Sequence, residues 1–272
     1  MKKVAFIGAG NMNASIINGL IKQGVDAQSI IVSNPSAEKR LALANSLGIK
    51  QTASNVDAAR FADLIVLGVK PHFINDVCQE ISQTVDIKAK CFLSVAVGCT
   101  ITQMEKALGE NTPIIRTMPN TPSQLGLGMT GMFASPSVNK EQHDYAEHLM
   151  AAAGETVWLD KEEQIDDIAS ISGSGPAYFF LFMEAMQQQA KAAGFSEAVS
   201  RQLVQQTALG AANMVVYNPE LEISELRNNV TSKGGTTQAA LTTFIDGGLT
   251  ALVSRAMKAA LNRAQAIAKQ NS

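Results

Sequence analysis

The stretch Val4-Ala5-Phe6-Ile7-Gly8-Ala9-Gly10-Asn11-Met12 constrains this chain more than any other. An apolar run from Lys2 to Ile7 breaks at two glycines, after which Met12, Ile16, Ile17 and Leu20 recur at helical spacing. The reading is strand, tight turn, helix. In that setting Gly8 permits the turn, Gly10 lets the backbone approach a diphosphate, and the helix start at Asn11 and Met12 offers free N–H groups to its charge. Asn13 stands where a third Gly or Ala normally lets helix pack on strand, so that part of the fingerprint is altered.

The pattern repeats downstream. Strands are expected at Ser29–Ser33, Leu64–Val69, Cys91–Val97 and Ile114–Met118, with a helix around Ala37–Leu47 and further helical stretches between. Each strand is a continuous apolar run, which predicts parallel strands buried on both faces. After Trp158 the composition changes. From Gln164 onward the sequence is rich in Ala, Gln and Met with helical periodicity, broken at Gly194, at Asn218-Pro219 and at Gly234-Gly235. The expected fold is α/β: a Rossmann-like doubly wound sheet over residues 1–160, then an all-helical domain over residues 161–272. That second part is a thin core with long apolar faces such as Leu181, Phe182, Ala185 and Met186, which predicts burial against a second subunit.

Bulk properties narrow the class of partner. The 272 residues carry a formal charge of −2 without long runs, so no basic stripe is available to track nucleic-acid phosphates, and a small ligand is expected. No segment approaches the roughly 20 apolar residues of a membrane span, and the amino terminus lacks a signal-peptide pattern, so a cytoplasmic location is expected. Cys78, Cys91 and Cys99 are odd in number and lack metal-ligand spacing; they read as buried, idle thiols, and no metal is expected.

The end of the second strand discriminates between dinucleotides. An acidic residue there binds a ribose 2′-hydroxyl and repels a 2′-phosphate. This chain has Ser33-Asn34-Pro35, followed by Lys39 and Arg40, which favours NADPH, with NADH as the alternative. Val69, Lys70 and Pro71 end the strand that begins at Leu64, at the sheet edge where ligands of open α/β folds bind, and Asn55 is a candidate adenosine-side contact.

Three further stretches are too unusual to be plain scaffold. Arg116-Thr117-Met118-Pro119-Asn120-Thr121-Pro122 runs from a strand into a loop fixed by prolines, with Asn120 a candidate cofactor contact. Ser172-Gly173-Ser174-Gly175-Pro176-Ala177-Tyr178 interrupts a helical region with small residues. Thr231-Ser232-Lys233-Gly234-Gly235-Thr236-Thr237 precedes a helix expected from about Thr236, whose free N–H groups form an anion site beside hydroxyls.

Together GAGNM, VKP, MPNTP, SGSGPAY and LRNNVTSKGGTTQAALTTFID resemble the pyrroline-5-carboxylate reductase family from end to end. The resemblance implies NAD(P)H-dependent reduction of 1-pyrroline-5-carboxylate to L-proline, and a homodimer through the helical domain, with larger rings of dimers in some members. It implies that backbone N–H groups over Ser232, Gly234, Gly235 and Thr236 hold the substrate carboxylate, that Asn229 and Ser174 help line the substrate, and that Thr237 places its hydroxyl at the ring nitrogen. Ala96 and Val97 would lie against the cofactor. Lys233 stands where the family usually has Pro, and Val97 where a smaller Ala is common.

No His, Asp or Glu in the three substrate motifs is a strong acid candidate, so positioning and exclusion of water are expected to carry most of the acceleration. Three alternatives remain open at this point: an imine reductase for a different ring, a β-hydroxyacid dehydrogenase using Lys191, and a dinucleotide-binding sensor without turnover.

Overall fold

The computed structural model describes residues 2–270. Alternating strands and helices build its first part: β1 (Val4–Ile7), α1 (Asn11–Lys22), β2 (Ile30–Ser33), α2 (Ala37–Leu47), β3 (Lys50–Thr52), α3 (Asn55–Phe61), β4 (Leu64–Leu67), α4 (Ile74–Thr84), β5 (Cys91–Ser94), α5 (Ile101–Leu108), β6 (Ile114–Met118), β7 (Gly128–Ala134), α6 (Lys140–Ala151) and β8 (Gly154–Trp158). Helices follow: α7 (Gln164–Ile168), α8 (Gly175–Ala192), α9 (Glu197–Val216), α10 (Ile223–Asn229), α11 (Thr236–Asp246) and α12 (Leu249–Gln270).

The strands form one sheet of eight in the order β3-β2-β1-β4-β5-β6-β7-β8. Strand order reverses between β1 and β4, the place where doubly wound sheets bind ligands. Side chains alternate across the pleat, so Val4 and Phe6 enter one core with Ile16, Ile17 and Leu20 of α1, while Ala5 and Ile7 enter a second core with Ile74 and Ile81 of α4. Both faces of β1 are therefore dry, as parallel strands covered by crossover helices require.

The structure corrects the sequence expectation in three respects. The sheet has eight strands where five are expected, because β3, β7 and β8 are added. β7 runs antiparallel to β6, so the sheet is mixed, not wholly parallel. The strands also end sooner than their apolar runs, at Leu67 and Ser94, so Val69 and Val97 belong to the loops that follow. Those two hydrophobic residues extend the sequence pattern without joining the ladder.

Two compact units divide the chain. One runs to Pro176 and takes in the chain again from Ala259; the other is Ala177–Lys258. Among the described residues of the second unit only Ser200 and Val204 are buried, while Phe179, Phe180, Leu181, Val216 and Tyr217 are each more than 60 % exposed. Phe182 and Phe244 meet at a ring separation of 5.7 Å. No helix among the described residues is long and apolar enough to cross a membrane.

Candidate active site

The turn from β1 into α1 is set by backbone sterics. Gly8 has φ +100°, and a Cβ there would stand 2.7 Å from Gly68 O, so only glycine fits. Its N–H donates to Ser33 O at 2.8 Å, and Ala9 N–H donates to Asn34 Oδ1 at 3.2 Å, which ties the turn to the end of β2. Gly10 is the N-cap of α1 and supplies no side-chain cap, so the first N–H groups of the helix are left for a ligand. A cleft of about 410 Å³ opens beside this turn. It brings together Gly8, Gly10, Asn34, Pro35, Lys39, Asn55, Val69 and Lys70, all singled out in the sequence, and adds Phe73, Asp76 and Glu80 among others.

Other expected positions lie elsewhere. Asn11 lines an adjoining cleft with Gly10 and Lys39, and Met12 packs on the core below α1. Ser33 is fully buried; its hydroxyl donates to Asn55 Oδ1 at 2.9 Å, and Asn55 Nδ2 donates to Glu80 Oε2 at 3.0 Å. Pro71 opens a short 3₁₀ turn at Pro71–Phe73, and Ala96 is buried while Val97 is partly so.

Lys39 and Arg40, alike in sequence, differ in place. Arg40 Nε donates to Gln51 Oε1 at 2.8 Å, and its Nη1 donates to Asn34 O and Pro35 O at 3.2 Å each, so Arg40 holds the turn after β2. Of these two, Lys39 is the one that lines the cleft, together with Lys70.

A second set of contacts organises the loops after β5 and β6. Thr100 caps α5 through a capping box with Gln103, and Ile101 N–H donates to Glu162 Oε1 at 2.8 Å. The same carboxylate oxygen accepts from Arg116 Nη1 at 3.1 Å, and Arg116 Nη2 donates to Asp166 Oδ1 at 2.6 Å. The Arg116 side chain is only 3 % exposed. Asn120 is committed within the protein: its Nδ2 donates to Ser172 O and its Oδ1 accepts from Met129 N–H, both at 2.9 Å. In the Ser172–Tyr178 stretch Gly173 serves close packing, since a Cβ there would lie 2.7 Å from Met118 Cε, whereas Gly175 faces open space. Residues Ala169–Gly173 form a π-helical turn, a local over-wide coil that Ser174 closes through its N–H to Ala169 O at 2.9 Å. Glu162 and Asp166, which reach the β6 arginine from α7 and the loop before it, are missed in the sequence because an isolated carboxylate carries no motif.

The turn before α11 belongs to the helical unit. Gly234 has φ +74° and donates to Gln238 Oε1 at 2.5 Å; Gly235 N–H donates to Ser232 O at 3.0 Å. Gly235 caps α11 without a side-chain acceptor, which leaves the N–H groups of the first turn open beside the Thr236 and Thr237 hydroxyls. Asn229 ends α10 just upstream, and Lys233 is exposed.

All three thiols are buried. Burial pushes Cys78 and Cys91 up to about 12 and Cys99 up to about 11, so all three are protonated thiols at neutral pH. No group of three or more His, Cys, Asp or Glu among the described residues is arranged to hold a metal ion.

A reversed-order sheet with an uncapped glycine turn at the reversal defines a dinucleotide-binding protein of the doubly wound class, and its relatives are oxidoreductases. A family model for NADP oxidoreductase, coenzyme F420-dependent, matches residues 3–98, and one for pyrroline-5-carboxylate reductase dimerisation matches residues 162–267. The chain is 48% identical to the pyrroline-5-carboxylate reductase of Vibrio alginolyticus over 98% of both chains. It is 35% identical to that of Escherichia coli K12, over 98% of this chain and 99% of the other. Solved structures agree: the pyrroline-5-carboxylate reductase of Coxiella burnetii superposes with a TM-score of 0.93 at 42% identity, covering 98% of each chain. The Plasmodium falciparum enzyme with NADP bound gives 0.87 at 27% identity, again over 98% of each. The chain belongs to the pyrroline-5-carboxylate reductase family.

Proposed function

We propose that the protein reduces 1-pyrroline-5-carboxylate to L-proline with NADPH, the dihydronicotinamide C4 giving hydride to the imine carbon while the ring nitrogen takes a proton. The carrying observation is that likeness to reductases of this name spans the whole chain, with the glycine turn and the Ser232–Thr237 turn both in place. In this reading residues 1–160 hold the cofactor and 161–272 form the dimerisation and substrate domain.

The diphosphate sits on the Gly8–Gly10 turn and the α1 N-terminus, with Asn11 and Met12 in that first helical turn. Lys39 and Asn34 receive the 2′-phosphate, and Ser33 holds Asn55 at the adenosine side. Val69, Lys70 and Pro71 bound the cleft, and Ala96 and Val97 face the nicotinamide. Asn120 acts by fixing the proline loop to Ser172, through the two hydrogen bonds that occupy its carboxamide.

At the substrate end, N–H groups over Ser232, Gly234, Gly235 and Thr236 bind the carboxylate, and Thr237 hydrogen-bonds the ring nitrogen. Gly234 N–H is met by Gln238, so Gln238 must yield that donor when substrate enters. Asn229, just upstream of that turn, and Ser174 keep the substrate-side roles that the family resemblance implies for each. Orientation and dryness supply the acceleration, since no strong acid stands in these motifs. We assign the protein to the cytoplasm, in keeping with three free buried thiols, and to a homodimer through the helical unit, with a ring of dimers as the larger form.

Following dihydronicotinamide absorbance while purified protein meets the imine, with NADH in parallel, tests this directly. Rapid oxidation, faster with NADPH, is expected. A folded, dinucleotide-binding protein that leaves the imine untouched would overturn the substrate and not the cofactor. One observation weighs against the hydroxyacid dehydrogenase reading: Lys191 lies in the last turn of α8 and is ion-paired with Glu197.

A further inference from the structure

We infer that Asn13 and Gly68 form a coupled pair that closes and positions the dinucleotide turn, the glycine absent from the third fingerprint place being supplied by the neighbouring strand. The inference rests on the dinucleotide reading for its functional half and on packing alone for its structural half.

Asn13 is 1 % exposed. Its Nδ2 donates to Gly8 O at 2.7 Å and to Ile7 O at 3.2 Å, so one carboxamide holds the last residue of β1 and the first residue of the turn. The opposite amide orientation would set a carbonyl against two carbonyls, which fixes the nitrogen on this side. The cost of placing Asn here falls on the end of β4. A Cβ built on Gly68 would lie 2.3 Å from Asn13 Nδ2, 2.4 Å from Oδ1 and 2.5 Å from Cγ. Gly68 is not among the glycines with positive φ, so its need for glycine comes from this contact.

Gly68 in turn meets the turn from the other side. Its N–H donates to Ile7 O at 2.9 Å, and its carbonyl is the atom that a Cβ on Gly8 would strike. Ile7 O thus accepts from both members of the pair. Asn13 Oδ1 is buried with no hydrogen-bond partner in the protein, a penalty that an apolar residue of similar size would avoid. Packing alone therefore does not account for an amide at this position. Its donor, aimed at the two carbonyls that shape the turn, does. Asn13 is a positioning residue: it touches no cofactor atom in this account and acts through Gly8.

Four proteins decide the structural half: wild type, Asn13→Gly, Gly68→Ala and the double variant, compared by thermal unfolding without cofactor. Gly68→Ala is expected to lower the midpoint by several degrees in the wild-type background and to have little effect beside Asn13→Gly. Recovery of folded double variant where Gly68→Ala alone aggregates counts as the same result. Equal shifts in both backgrounds would overturn the pair.

Asn13→Ala decides the functional half. The loss of both hydrogen bonds to the turn is expected to raise the NADPH Kd, read by dinucleotide fluorescence, about tenfold. The imine KM and kcat at saturating NADPH should stay near wild type, a split that general destabilisation does not produce. An unchanged Kd would overturn the positioning role. Wild-type protein that binds no dinucleotide would overturn the cofactor reading and this role with it, while the unfolding cycle still stands or falls by itself.

Discussion

The buried Arg116 and the partly buried Glu162 form an ion pair at 3.1 Å, and the Glu162 oxygen in that pair also caps the backbone N–H of Ile101 at 2.8 Å. One carboxylate therefore joins the middle of β6 to the start of α5. With Asp166 at 2.6 Å, Arg116 faces two carboxylates in a nearly dry site. Truncating the arginine strands both. Arg116→Met is expected to destabilise the fold by about 3–5 kcal/mol, the scale for breaking a buried pair from one side. Glu162→Gln keeps an acceptor for Ile101 and is expected to fold, with kcat reduced more than either KM. Urea unfolding beside steady-state kinetics checks both; a stable Arg116→Met protein with full turnover would refute the role of this pair.

Thr237 is the one hydroxyl assigned to the ring nitrogen. Thr237→Ala is expected to lower kcat by roughly 10²-fold, the lower end of what a positioned proton-transfer partner contributes, while Thr237→Ser retains most of it. NADPH binding should not change. Undiminished turnover in the alanine variant would remove Thr237 from the mechanism and leave positioning alone.

The different fates of Lys39 and Arg40 predict different phenotypes. Lys39→Ala is expected to raise the KM for NADPH about tenfold and leave that for NADH almost unchanged, since a charge-assisted contact to phosphate is lost. Arg40→Ala loosens the turn through which Asn34 holds Ala9 of the glycine turn, and should weaken both cofactors. The comparison is made by kinetics with the two cofactors side by side; equal loss of both in Lys39→Ala would contradict the 2′-phosphate assignment.

The thiols predict an alkaline limit. Their folded values of about 11 to 12 lie above the ordinary 9.0, so the native state holds these protons more tightly than the unfolded chain. The sign follows: their contribution is fully present below pH 9 and is lost as pH rises from 9 through about 12. Denaturant midpoints should fall over that window, and less steeply in Cys91→Val, whose side chain cannot ionise. At neutral pH thiol-alkylating reagents should label the native protein far more slowly than the unfolded chain. An unchanged alkaline slope in the valine variant would show that other groups carry it.

Much of the fold was legible because parallel strands buried on both faces are uninterrupted apolar runs, as at Leu64–Leu67 and Cys91–Ser94. The three missed strands lack that signal. β3 is Lys-Gln-Thr, β7 contains two glycines, and no residue of β8 is fully buried. They join the sheet through backbone pairing and neighbours in space, which local pattern does not report. The site divides likewise. Glycine turns at Gly8 and Gly234 announce themselves because few residues tolerate their φ, whereas Glu162, Asp166 and the Asn13–Gly68 contact are tertiary facts between residues 46 to 55 positions apart.

The helical unit has almost no interior of its own, and the dimerisation model that matches residues 162–267 says what such a surface is for. In the homodimer proposed above, the folding of this unit is bimolecular in its last step. Dilution becomes a denaturant for this half of the molecule, and the amount of protein in the cell becomes one of the variables that set its structure.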